Sequence, residues 1–103
     1  MSPIVELLRR IKPRPGMYVR DASLSRLADY LRGYNMALVE NNVPGDHSVL
    51  AGFQDFVEQH NSFDVNQSWD NIILFQAADN RGALQIFWEL LDEYLAQQGI
   101  SLD

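Results

Sequence analysis

The 103-residue chain has no cysteine, which excludes disulfides and thiolate metal sites outright. It has no long apolar run either. Even Ile72-Ile73-Leu74-Phe75 is far short of the roughly 20 apolar residues a membrane-spanning helix requires, so no bilayer crossing is expected. The six glycines stand singly, so there is no glycine-rich phosphate loop. The start, Met1-Ser2-Pro3-Ile4-Val5-Glu6, lacks the basic and apolar regions of a secretory signal, and the expected location is cytoplasmic. Histidine is scarce, with only His47 and His60, and no serine lies in a Gly-x-Ser-x-Gly context. Nucleophilic catalysis is therefore poorly supported, and the expectation is a non-enzymatic protein.

Positive charge is almost absent after residue 32. Residues 1–32 hold seven basic side chains (Arg9, Arg10, Lys12, Arg14, Arg20, Arg26, Arg32) against three acidic ones, for a local charge of +4. Residues 33–103 hold eleven acidic side chains and only Arg81 as a basic one, for −10, and the whole chain carries −6. Such a segment repels nucleic acid and anionic lipid and attracts a basic partner, although acidic surfaces also serve solubility alone. The basic first third has neither helix-turn-helix spacing nor an aromatic platform, so no nucleic-acid partner is expected.

What is abundant is apolar residues at helical spacing, 47% of the chain being hydrophobic. Ser2 and Pro3 suit the start of a first helix carrying Ile4, Leu7, Leu8 and Ile11, which Pro13 and Pro15 must stop. Residues 12–19 then read as an extended connector with a turn at Pro15-Gly16. Ser23 caps a second helix to about Asn41, with Leu24, Leu27, Ala28, Leu31, Tyr34 and Leu38 as its stripe. A turn at Val43-Pro44-Gly45-Asp46 precedes a third helix with Leu50, Phe53, Phe56, Val57 and His60 on one side. After polar residues 61–67, Ser68 caps a short fourth helix that places Trp69, Ile72, Ile73 and Gln76 together, with Asp70 in the first turn where the helix dipole favours a carboxylate, though Ile-Ile-Leu-Phe also suits a buried strand. The last helix is the clearest: Asp79-Asn80 begin it, Leu84, Phe87, Trp88, Leu91, Tyr94 and Leu95 line one face, and Gly99 ends it. No repeat or linker separates these segments. The expected fold is a single all-α bundle of about five helices over residues 1–103.

Three carboxylates, Glu89, Asp92 and Glu93, fall at i, i+3 and i+4 of the last helix, and Asp55 and Glu58 could extend the cluster from the third. A metal site is not expected there, because the di-metal bundles need a Glu-x-x-His pair and none occurs. A solvated polar face is the plain reading. The functional one is an acidic docking surface for a basic partner, with these five residues as the candidate binding positions. Asp64, Asn66, Ser68 and Asp70 occupy positions 1, 3, 5 and 7 of a calcium-loop pattern, but Trp69 stands where the loop needs glycine and Phe75 where it needs a bidentate glutamate. No cofactor is called for.

Arg14-Pro15-Gly16-Met17-Tyr18 resembles a segment of type II topoisomerase ATPase subunits, but no Gly-x-Gly lid accompanies it and the chain is too short for that domain. A longer series covers most of the chain: Ile11-Lys12-Pro13-Arg14-Pro15-Gly16-Met17-Tyr18, Ser23-Leu24, Leu31, Gly33-Tyr34, Phe53, Phe56-Val57, Ser68-Trp69, Ile72-Ile73-Leu74, Phe87 and Leu90-Leu91-Asp92-Glu93-Tyr94-Leu95. This series resembles the small helical immunity proteins of bacterial toxin–immunity systems, including contact-dependent growth inhibition. The resemblance implies a non-enzymatic inhibitor that binds a cognate toxin, often a nuclease with a basic surface, inside the producing cell. A helical adaptor or homodimerising module is the alternative that the residues leave open.

The broken calcium pattern and the missing thiols predict metal independence. Thermal melts with calcium and with EDTA should superimpose, and a shift of several degrees between them would show that the segment from Asp64 to Asp70 binds an ion.

Overall fold

Apolar spacing becomes helix wherever the chain can also satisfy the helix ends. The computed structural model describes residues 2–43, 49–60 and 67–103, and within these it has five α-helices and no strand. The expected all-α bundle is what forms. Most of the turn at 43–46, the polar stretch 61–67, His47, Asp64 and Asn66 lie outside the described residues. None of the helices described is long and apolar enough to cross a membrane.

The first helix, α1 (Pro3–Ile11), starts as its sequence implies: Ser2 Oγ accepts the Val5 N–H at 3.3 Å, and Pro3 occupies a position whose N–H would be unsatisfied anyway. Ile4, Leu7, Leu8 and Ile11 are all buried. The connector departs from the extended form. It folds into two 3₁₀ turns: Pro15–Met17, whose Pro15 carbonyl accepts both the Tyr18 and the Val19 N–H at 3.0 Å, and Arg20–Ala22, closed by the Ala22 N–H on the Val19 carbonyl at 3.4 Å. Asp21 (φ 62°) and Ala22 (φ 47°) then take left-handed backbone, a costly choice for alanine, and Val19 beside them is held in the core.

Helix α2 (Leu24–Glu40) is capped by Ser23, whose Oγ accepts the Arg26 N–H at 3.4 Å. It ends with Asn42 at φ 52°, the Val43 N–H reaching back to the Leu38 carbonyl at 3.0 Å in a Schellman arrangement. The α3 helix (Val49–His60) follows, then α4 (Trp69–Gln76), which settles the helix-or-strand ambiguity in favour of helix. Ser68 makes no side-chain cap for α4. The side-chain oxygen of Gln54 on α3 does that work, accepting the Trp69 N–H at 2.6 Å. Helix α5 (Asn80–Ala96) begins at Asp79, which accepts the Gly82 N–H at 2.7 Å. Its Schellman turn has Gly99 at φ 74° and Ile100 N–H bonded to the Leu95 carbonyl at 2.9 Å.

The five helices share one core. Its aromatic centre is Phe53, fully buried, with ring centroids 5.3 Å from Trp69, 5.6 Å from Phe87 and 5.7 Å from Tyr94. Most of these rings meet edge-on or tilted, the favourable geometry for aromatic quadrupoles. Trp69 and Trp88 are both buried, as their stripes imply. Leu102, outside any periodic segment, is buried too, as the tail is drawn onto α1 by two hydrogen bonds from Arg9 to the Ser101 carbonyl, at 2.8 and 3.1 Å.

Two helical glycines separate packing from propensity. A Cβ at Gly33 would meet nothing within 4 Å, whereas one at Gly52 would collide with the Tyr94 hydroxyl, itself bonded to the Val49 carbonyl at 3.2 Å. Gly33→Ala should therefore stabilise by up to about 1 kcal/mol, and Gly52→Ala should destabilise by roughly 1–3 kcal/mol despite the same propensity gain. Denaturant unfolding checks both, and adding Tyr94→Phe to Gly52→Ala should recover part of the loss. Each tryptophan replaced by alanine should cost about 3–5 kcal/mol in the same assay.

Candidate protein-binding surface

The five acidic positions are spread around the exposed side of the helix pair α3–α5. At 100° per residue, Asp55 lies opposite the buried Phe53–Phe56–Val57 stripe of α3, and Glu58 lies on the Gln54 side of it, toward the start of α4. Glu58 Oε1 accepts a hydrogen bond from Gln54 Nε2 at 2.9 Å. Both carboxylates are exposed.

On α5 the three carboxylates fan out. Asp92 turns toward α1 and takes the Lys12 ammonium at 2.7 Å, where Asp103 also approaches at 3.8 Å. Glu93 turns toward α3 and lies 3.3 Å from His60 Nε2, an ion pair whenever the imidazole is protonated. Glu89 accepts from Gln85 one turn earlier at 3.3 Å and is exposed. Asp92 and Glu93 therefore have partners within the chain, and Asp55, Glu58 and Glu89 keep their charge toward solvent without an ion pair among the described residues. His60, on the apolar stripe in sequence, stacks on Phe56 with centroids 4.2 Å apart but leaves its ring edge exposed to meet Glu93.

One polar pair was not singled out by spacing. Asp70, in the first turn of α4, is nearly buried, and Oδ1 is bound by Arg32 Nη2 from α2. The Arg32 guanidinium also lies 5.7 Å from the Trp69 ring centroid, within cation–π range, and 3.6 Å from Asp29. Burial pushes the Asp70 carboxyl upward, but the hydrogen bonds from Arg32 and Ser68 and the guanidinium charge outweigh it, leaving the carboxyl below its ordinary value. Asp70 stands in the first turn of α4, where the helix dipole favours a carboxylate. Its partner sits 38 residues away, a separation no local pattern records.

Among the described residues no group of three or more histidine and carboxylate side chains is placed to hold a metal ion. No protein-family model, curated protein or solved structure matches the chain. The surface chemistry is thus the ground on which function must be argued.

The lowered Asp70 carboxyl makes this pair a source of acid sensitivity. Because the folded-state pKa is depressed, the unfolded chain takes up the proton first, so the contribution is complete above about pH 3.9 and is lost as pH falls through the folded value. Wild type should exceed Asp70→Asn in stability by roughly 1.5–3 kcal/mol at pH 7, and that gap should close on acidification through this window. Arg32→Met should cost more than Asp70→Asn at pH 7, since it strands a buried carboxylate, whereas the half-exposed guanidinium left by the other variant retains water and Asp29. Urea midpoints measured between pH 7 and pH 2.5 check both statements.

Proposed function

We propose that the protein is the immunity partner of a bacterial toxin, binding a cognate toxin domain one-to-one in the cytoplasm and neutralising it without catalysis. The observation that carries this reading is the charge of residues 33–103, −10 with Arg81 as the single basic side chain, together with exposed carboxylates on α3 and α5. A nuclease toxin presents lysine and arginine to nucleic acid. Carboxylates held on a rigid helical frame can take the places of phosphates there, steering the encounter and covering the surface the toxin needs. The resemblance to small helical immunity proteins supports the same conclusion from an independent direction.

Asp55, Glu58 and Glu89 are the cleanest positions for the test. Reversing Asp92 or Glu93 would also set a lysine beside Lys12 or His60 and disturb the fold. Co-expression with the product of the neighbouring reading frame should protect cells from that product and yield a one-to-one complex. The variant Asp55→Lys/Glu58→Lys/Glu89→Lys should keep the wild-type melting temperature, associate about tenfold or more slowly at low salt, show a flatter salt dependence and protect less well. Absence of both complex and protection with the wild-type chain would overturn the proposal.

A further inference from the structure

Between α2, α3 and the first turn of α4 runs an open groove of about 660 Å³, the size of a pocket that takes one or two side chains of a partner. Its apolar surface comes from Met36, Val39, Leu50, Ala51 and Trp69. Met36 and Val39 are 61% and 52% exposed, although they are successive groove-facing positions on an otherwise well-patterned helix. Two large aliphatic side chains left in water at one place mark a surface that gains by being covered.

The chemistry around the groove specifies what covers it. Arg32, the single cation among the described residues that line it, is already bound by Asp70 and approached by Asp29. Glu40 lines the far end of α2, and Glu58 is held beside the groove by its hydrogen bond to the lining residue Gln54. Asp55 follows Gln54 on α3 with its side chain exposed. The rim is therefore acidic and the floor apolar.

We infer that this groove is the docking site for a cationic segment of the partner protein, one aliphatic or aromatic side chain seated against Met36, Val39 and Trp69 and its flanking lysines or arginines paired with Glu40, Glu58 and Asp55. The inference rests on the proposed toxin-binding function and gives that function a place. A second copy of the chain offers similar chemistry at its connector, where Met17 is 73% exposed near Arg14. That contact would join unlike surfaces, which produces rings or open-ended chains, and it would bring together molecules that each carry −6. A foreign basic segment suffers neither penalty.

The test uses the full chain and a phage-displayed library of random 12-residue peptides. Selected binders should carry an apolar residue flanked by lysine or arginine, and should shift the amide resonances of Met36, Val39, Leu50, Ala51 and Gln54. Met36→Lys/Glu40→Lys, two exposed positions, should keep the wild-type melting temperature and weaken these binders at least tenfold, while Met17→Lys should leave them unchanged. Acidic or purely polar binders, an absence of enrichment, or affinity undiminished in the double variant would overturn the inference. Self-association in sedimentation that Met36→Lys/Glu40→Lys abolishes would overturn it in favour of a second copy. The double variant is also tested for protection against the neighbouring reading frame's product: full protection sinks the groove and leaves the immunity function standing, whereas failure of the wild-type chain sinks that function while the peptide result still judges the groove.

Discussion

Removing the Phe53 ring from water is the event on which the rest of the bundle depends. The ring sits where α3, α4 and α5 meet, and its immediate neighbours in sequence serve the same junction in different ways. Gly52 has no side chain, so the Tyr94 hydroxyl can come close enough to reach the Val49 carbonyl. Gln54 caps α4 through the Trp69 N–H and also bonds Glu58 and the Gln67 carbonyl. Three consecutive residues thus set the approach of one helix, the packing of two and the starting point of a third. The short α4, at eight residues too brief to be stable alone, exists because α3 supplies its cap and its aromatic floor.

Charge is organised with the same economy. The basic first third is partly turned inward on the acidic remainder, with Lys12 on Asp92 and Arg32 on Asp70 joining elements distant in sequence. These contacts hold α1 against α5 and α2 against α4. Exposed carboxylates without an ion pair among the described residues include Asp55 and Glu58 on α3, Glu89 in the middle of α5 and Glu40 at the end of α2.

Periodicity and end signals were enough to locate the helices. Ser2, Ser23 and Asp79 act as caps where their spacing to the apolar stripes indicates, and Gly99 takes the left-handed turn that ends α5. The features that escaped are those fixed by distant contacts. Proline at 13 and 15 reads as extended chain, but Val19 is buried and the Pro15 and Val19 carbonyls close the connector into 3₁₀ turns. Leu102 has no periodic neighbours, so nothing local marks it as core. The same holds for the candidate surface: spacing along α5 groups Glu89, Asp92 and Glu93, but only the packing of α1 and α3 on either side decides that Asp92 and Glu93 acquire internal partners. The groove could not be read at all, because Met36 and Val39 fall on a helix whose sequence does not say which flank its neighbours leave open.

The bonds from Arg9 to the Ser101 carbonyl set an order of events during synthesis. They span 92 residues, and at about 5–20 residues added per second α1 must wait several seconds before its last contacts are available. Until then Ile4, Leu8 and Ile11 belong to an unfinished helix whose apolar face has nothing of the final segment to rest on. Helix α2 follows α1 closely and packs against it early, whereas the bonds from Arg9 to Ser101 form only after α5, so a chain cut before Ser101 would keep α1 on α2 but leave the place of Leu102 in the core unfilled.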